Sequence, residues 1–97
     1  MIAAKARKTP DGRPVYEPQE ILGRVIRSLR EEKKINQKDF AERIGISSSW
    51  LSRIESGNYD PPWSSVLRVV EGLAISLEEL EEAIKSHEHS ALPEGKE

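Results

Sequence analysis

Residues 45–59 read GISSSWLSRIESGNY, with Ser47, Ser48 and Ser49 ahead of Trp50, and Arg53 four residues past Ser49. A serine attacks only when a general base stands beside it, and none is placed next to these three. Hydroxyls and a guanidinium at helical spacing are better suited to hydrogen bonding with a partner. Arginine can pair bidentately with guanine O6 and N7, a contact worth about 1–3 kcal/mol of discrimination. Serine donates and accepts, but it is short and reads weakly. His87 and His89, in H-E-H, lack the fixed scaffold of a metal site. The sequence has no Gly-rich phosphate loop and no paired carboxylates in a recognisable cleft. No enzyme activity, cofactor or metal is expected.

The 97 residues suffice for one small domain. The absence of cysteine removes disulfides and thiol chemistry and fits a reducing compartment. The longest apolar stretch, residues 66–75, is broken by Arg68, Glu71 and Gly72. A membrane span and a signal peptide are therefore not expected, and the expected location is the cytoplasm. The net charge of −2 averages two unlike parts. Residues 1–57 hold 12 Lys/Arg against 8 Asp/Glu, and residues 58–97 hold 3 against 9. This fits a basic working face with an acidic tail, and equally an unevenly charged solvated surface.

Those side chains need elements to hold them. Residues 1–17 read as a basic N-terminal arm, with Lys5, Arg7, Lys8 and Arg13 among Pro10, Gly12 and Pro14. The arm is either disordered or a loose hairpin in which residues 13–16 pair back on residues 3–8. A first helix over about 18–33 starts at Pro18 and carries Leu22, Val25, Ile26 and Leu29 at i, i+3, i+4 and i+7. Asn36 with Asp39 makes a capping-box-like start for a second helix over 37–44, stopped by Gly45. Ser47 caps a third over 48–56, stopped by Gly57. Asp60-Pro61-Pro62 turns into a fourth over 63–73, whose expected inward face is Trp63, Val66, Leu67, Val70 and Leu73. Ser76 with Glu79 is a full capping box opening a fifth over about 77–86. Residues 87–97 read as a flexible acidic tail, and residues 18–86 as the folded domain.

Two helices of eight or nine residues joined by three residues, glycine first, have the dimensions of a helix-turn-helix. In that motif the second helix enters the major groove and its N-terminal side chains reach base edges. Residues 37–57, QKDFAERIGISSSWLSRIESG, closely resemble the Cro/C1-type (phage-repressor or XRE-like) helix-turn-helix domain. The resemblance runs back through IRSLREEKKINQ and forward through NYDPPWSSVLRVVEGLAISLEEL, about residues 20–80. It implies an all-α, compact five-helix lambda-repressor-like domain that binds double-stranded operator DNA as a dimer and regulates transcription, usually as a repressor.

The resemblance also distributes roles. Gln37 matches a glutamine that bonds a phosphate while bracing the recognition helix. Ser48, Ser49 and Arg53 match base-reading positions, with Arg53 the dominant reader. Asn58 and Tyr59 lie where the family touches phosphates through a loop. Arg30 and Glu55 occupy the places of an internal salt bridge and are assigned to structure. From the residues themselves, Ser52 faces the DNA backbone, and Lys38 and Arg43 are phosphate partners or generic surface charge. Trp50 has two readings: contact with sugar–phosphate or a thymine methyl, or packing in the core.

A single helix-turn-helix touches few bases, and two copies on a two-fold axis read two half-sites. In related domains the fourth and fifth helices supply much of the dimer contact. Leu77, Leu80 and Ile84 are the candidates here, with Leu77 and Leu80 alternatively closing the monomer core; Leu80 is expected to do so, which makes Ile84 the better interface candidate. Two other functional classes remain. One is the antitoxin of a toxin–antitoxin pair, whose toxin would need residues 1–17 or 85–97. The other is a protein-interaction module without DNA binding.

Overall fold

A computed structural model of the chain describes residues 7–8 and 14–91, with side chains from residue 16 to residue 87. Strand β1 (Arg7–Lys8) pairs antiparallel with β2 (Pro14–Val15), Arg7 opposite Val15 and Lys8 opposite Pro14. Residues 1–6 and 9–13 of the basic arm, Lys5 and Arg13 among them, lie outside the described residues. Five helices follow: α1 (Pro18–Glu32), α2 (Gln37–Ile44), α3 (Ser48–Glu55), α4 (Trp63–Leu73) and α5 (Leu77–Ala91).

Each start rests on local hydrogen bonds. Asn36 Oδ1 accepts from the Asp39 N–H at 2.8 Å, and Ser47 Oγ accepts from the Trp50 N–H at 3.0 Å. At Asn36 the return bond of a capping box is replaced by a side-chain contact, Asn36 Nδ2 donating to Asp39 Oδ2 at 3.2 Å. The box at Ser76 is complete: Glu79 N–H donates to Ser76 Oγ at 3.0 Å, and Ser76 N–H to Glu79 Oε1 at 2.7 Å. An additional side-chain bond opens α1, where Glu20 Oε1 accepts from the Glu17 N–H at 2.7 Å.

The ends of α1 to α4 share one device, paired 5→2 and 6→1 backbone bonds around a residue of positive φ. After α2 that residue is Gly45 (φ 79°), with Gly45 N–H to Glu42 O and Ile46 N–H to Ala41 O. After α3 it is Gly57 (φ 82°), with bonds to Ile54 O and, from Asn58, to Arg53 O. After α1 and α4 the same place is taken by Lys34 (φ 59°) and Ala74 (φ 58°).

Two apolar clusters hold the helices. One, around Phe40, Ile26, Leu51, Ile54, Val69 and Leu73, packs α2 and α3 on α1 and α4. The other, Ile21, Val25, Val66, Val70 and Leu80, joins α1, α4 and α5. On α1, Val25 and Ile26 are buried together with Ile21, and Leu22 and Leu29 are half-buried.

Three expectations are corrected. Trp63 and Leu67 do not face inward: they are 62% and 41% exposed. The buried stripe of α4 is Val66, Val69, Val70 and Leu73, an i, i+3, i+4, i+7 set. Leu67 stands about 100° off that stripe, and Trp63 is the first residue of the helix, at its free end. Leu80 is 4% exposed within one copy of the chain, so it is not available to a dimer interface. Helix α5 does not stop near Ser86 but continues to Ala91. Residues 77–91 contain neither glycine nor proline and are rich in strong helix formers; the first breaker is Pro93.

Candidate nucleic-acid interface

The α2–turn–α3 unit presents one side to the core and one to solvent. Leu51, Ile54 and Glu55 are buried on α3, while Ser48, Ser49, Ser52 and Arg53 are exposed. The exposed four form two adjacent i, i+4 rows, 48–52 and 49–53. Ser47 does not join them, because its hydroxyl is engaged as the cap. The positive end of the α3 dipole points in the same direction as the first row begins, which favours an anionic partner.

A buried ion pair fixes the angle of this unit. Arg30 Nε donates to Glu55 Oε2 at 2.7 Å and Arg30 Nη2 to Glu55 Oε1 at 3.0 Å. Arg30 Nη1 donates to the Ile35 carbonyl at 2.7 Å, in the α1–α2 connection. Both residues are 6% exposed. Glu55 holds the guanidinium charged, chiefly through the side-chain hydrogen bond, so the pKa of Arg30 is raised above its ordinary value. A raised cation contributes stability below its unfolded pKa and loses it only as pH rises through the folded one. Both lie far above neutrality, so the pair is intact over the physiological range. Gln37 Nε2 adds a third donor to the carboxylate, reaching Glu55 Oε1 at 2.9 Å from the first residue of α2. Three helices are thus tied through one carboxylate, and Gln37 is half-buried beside it.

Trp50 is half-buried and packs against the main core cluster. Its ring lies 4.1 Å from that of Tyr59, centroid to centroid, tilted by 49°. The Arg53 guanidinium carbon stands 5.9 Å from the Trp50 ring centroid, at the outer limit of a cation–π contact. The indole is therefore a platform between the loop after α3 and the exposed arginine. Lys38 and Asn58 are exposed at the two ends of the unit. Arg43 Nη1 donates to the Gly72 carbonyl and Arg68 Nη1 to the Ile44 carbonyl, each at 3.3 Å. This reciprocal clasp of α2 and α4 gives Arg43 a structural partner. On α5, Leu77 is exposed, Ile84 is half-buried against the second core cluster, and Leu80 is interior.

Gly23 is a positioning residue that the sequence reading missed. A Cβ there would collide with the Ile54 carbonyl oxygen and stand 2.8 Å from that of Glu55. Helix α1 therefore approaches the last turn of α3 backbone to backbone. The available signal was a glycine inside an otherwise periodic helix, which marks a close approach. Of the two histidines, His87 is half-buried, and the His89 side chain lies outside the described residues. Among the described residues no His, Cys, Asp or Glu group is placed to hold a metal, and no helix is long and apolar enough to cross a membrane.

An exposed, polar α3 braced at a fixed angle across α2 on an all-α body defines a helix-turn-helix domain. A family model described as a helix-turn-helix domain matches residues 21–83. The chain belongs to that family, in its Cro/C1 (XRE-like) branch. The uncharacterized HTH-type transcriptional regulator YazB of Bacillus subtilis (strain 168) is 43% identical over 61 residues, 63% of this chain and 88% of YazB. The immunity repressor protein of Bacillus phage phi105 is 34% identical over 56 residues, 58% of this chain but 39% of the repressor. The restriction-modification controller protein C.Esp1396I, solved as a tetramer with its natural 35 base-pair operator, matches with a TM-score of 0.69. That match has 23% identity and covers 72% of this chain and 92% of the controller, a likeness of fold. By their names, YazB is a transcriptional regulator and the phi105 protein a repressor, and the controller protein was solved on its operator.

Proposed function

We infer that this chain is a sequence-specific transcriptional regulator of the repressor type. It binds a palindromic operator as a homodimer, with α3 in the major groove. The observation that carries this reading is the division of α3. Its rear is locked by Glu55 to Arg30 and Gln37, and its front offers Ser48, Ser49, Ser52 and Arg53 to solvent. A helix held that firmly with a polar front is prepared to read base edges without rearrangement.

In this reading Arg53 pairs with a guanine, and Ser48 and Ser49 refine the neighbouring bases. Trp50 limits the rotamers of Arg53 from the side and supplies surface to the sugar–phosphate chain together with Tyr59. Gln37, Lys38, Ser52 and Asn58 donate to phosphates and set the register.

The test is selection from a random duplex pool at several salt concentrations, followed by sequencing of the retained strands. An enriched inverted repeat with half-sites about one helical turn apart, and a steep fall of affinity with salt, is expected. Retention without any enriched sequence would overturn the reading.

A further inference from the structure

A groove of about 330 Å³ runs between the start of α1, the α3–α4 loop, α4 and α5. Pro18, Ile21, Val66, Leu80 and Ile84 wall it, and Asp60 is its one ionisable lining side chain. Trp63 lines it too, and at 62% is the most exposed large apolar side chain among the described residues. An apolar concavity beside an exposed tryptophan marks a surface that takes a partner.

The chain itself leads to this groove. The antiparallel pairing of β1 with β2 sets Arg7 opposite Val15 and Lys8 opposite Pro14. The same register carried back brings position 6 level with Tyr16 and position 4 level with Pro18. Tyr16 packs on the second core cluster, and Pro18 lines the groove. The segment ahead of β1 is thus aimed at the groove's mouth. Four extended residues span about 13 Å. That exceeds the roughly 6 Å that α1 rises from Pro18 to Leu22, which also lines the groove.

We propose that residues 2–5 occupy the groove of their own chain, Ile2 against the apolar walls beside Trp63 and Lys5 at Asp60. The sequence of this segment, IAAK, supplies an apolar run and then a cation for the single acid of the groove. Residues 92–97, LPEGKE, fit less well. They carry two glutamates against one lysine and would meet Asp60 with like charge. They also start beyond Ala91, about 16 Å along α5 from Leu80. Seated there, the start of the chain ties α1, α4 and α5 together, on elements other than the reading helix.

The inference goes beyond the proposed function and does not rest on it. Trp63 is the reporter: in the full chain carrying Trp50→Phe it is the only tryptophan, and acrylamide quenching reads its exposure. Ile2→Asp is expected to raise the quenching constant about threefold or more, since a carboxylate is costly against apolar walls. Lys5→Glu is expected to raise it about twofold, and Asp60→Lys added to Lys5→Glu to restore it. None of these values should change with protein concentration, because groove and occupant belong to one chain. Circular dichroism melts check that each variant folds. Should Trp50→Phe not fold, the comparison is made with both tryptophans present, Trp50 adding the same background to every variant. A quenching constant that Ile2→Asp leaves unmoved overturns the proposal, as does a charge exchange that restores nothing. Protection of Trp63 that grows with concentration also overturns it, because the occupant is then a second copy.

Discussion

Gln37 Nε2 and Glu55 Oε1 lie 2.9 Å apart, joining the first residue of α2 to the last residue of α3. The same carboxylate holds buried Arg30, so the residue expected at a phosphate is also part of the brace beneath the recognition helix. Removing Gln37 therefore acts on two levels. Gln37→Ala is expected to lose about 1 kcal/mol of stability and to weaken binding to all duplexes alike. Because glutamine is neutral, the slope of affinity against salt stays unchanged. Lys38→Ala, by contrast, lowers that slope by about one charge. Salt titrations of the two variants separate the roles.

Glu55→Ala leaves the Arg30 guanidinium buried without its carboxylate. A broken buried pair costs about 3–5 kcal/mol. Urea unfolding of the variant should show a loss of that order with an unchanged m-value. A loss below 1 kcal/mol would mean that water or Ile35 alone satisfies the arginine.

Arg53→Ala should leave thermal unfolding unchanged, since the side chain is exposed. Discrimination between the selected operator and a variant altered at its guanine should fall by about 1–3 kcal/mol. Unchanged discrimination in competition binding would remove Arg53 as a base reader.

Gly23→Ala places a methyl against the carbonyls of Ile54 and Glu55. The helix backbones must part, at about 1–3 kcal/mol for overpacking. The same shift tilts α3, so operator affinity should fall further than stability alone explains. Measuring binding well below the melting temperature isolates the geometric part.

The sequence discloses most where the physics is local. Asn36, Ser47 and Ser76 mark helix starts because each hydrogen bond closes within three residues. Gly45 and Gly57 mark ends because a left-handed residue follows the helix. On α4, periodicity admits two overlapping faces, residues 63, 66, 67 and 70 or residues 66, 69, 70 and 73, and only packing against the other helices decides for the second. Leu80 and Leu77 share one helix, yet only α1 and α4 decide that the first is interior. Helix α5 runs on to Ala91 through a polar stretch, because a helix of charged residues needs no apolar face to persist beyond its packed part. The role of Trp50 was undecidable from the chain alone, since both its readings need the same helical position. The structure sets it on Tyr59.

Lys34 and Ala74 end their helices in the conformation that Gly45 and Gly57 adopt elsewhere. An L-residue held left-handed is disfavoured by about 1–2 kcal/mol. The domain therefore carries a reserve: glycine at either position would relieve that strain without touching the exposed side chains of α3, less the added freedom of the unfolded chain. A lineage or an engineer drawing on it could accept a destabilising change on the reading surface, such as a bulkier residue at Ser48 or Ser49, without unfolding the domain. Two helix ends that read no base would thus set how freely the specificity of α3 can be rewritten.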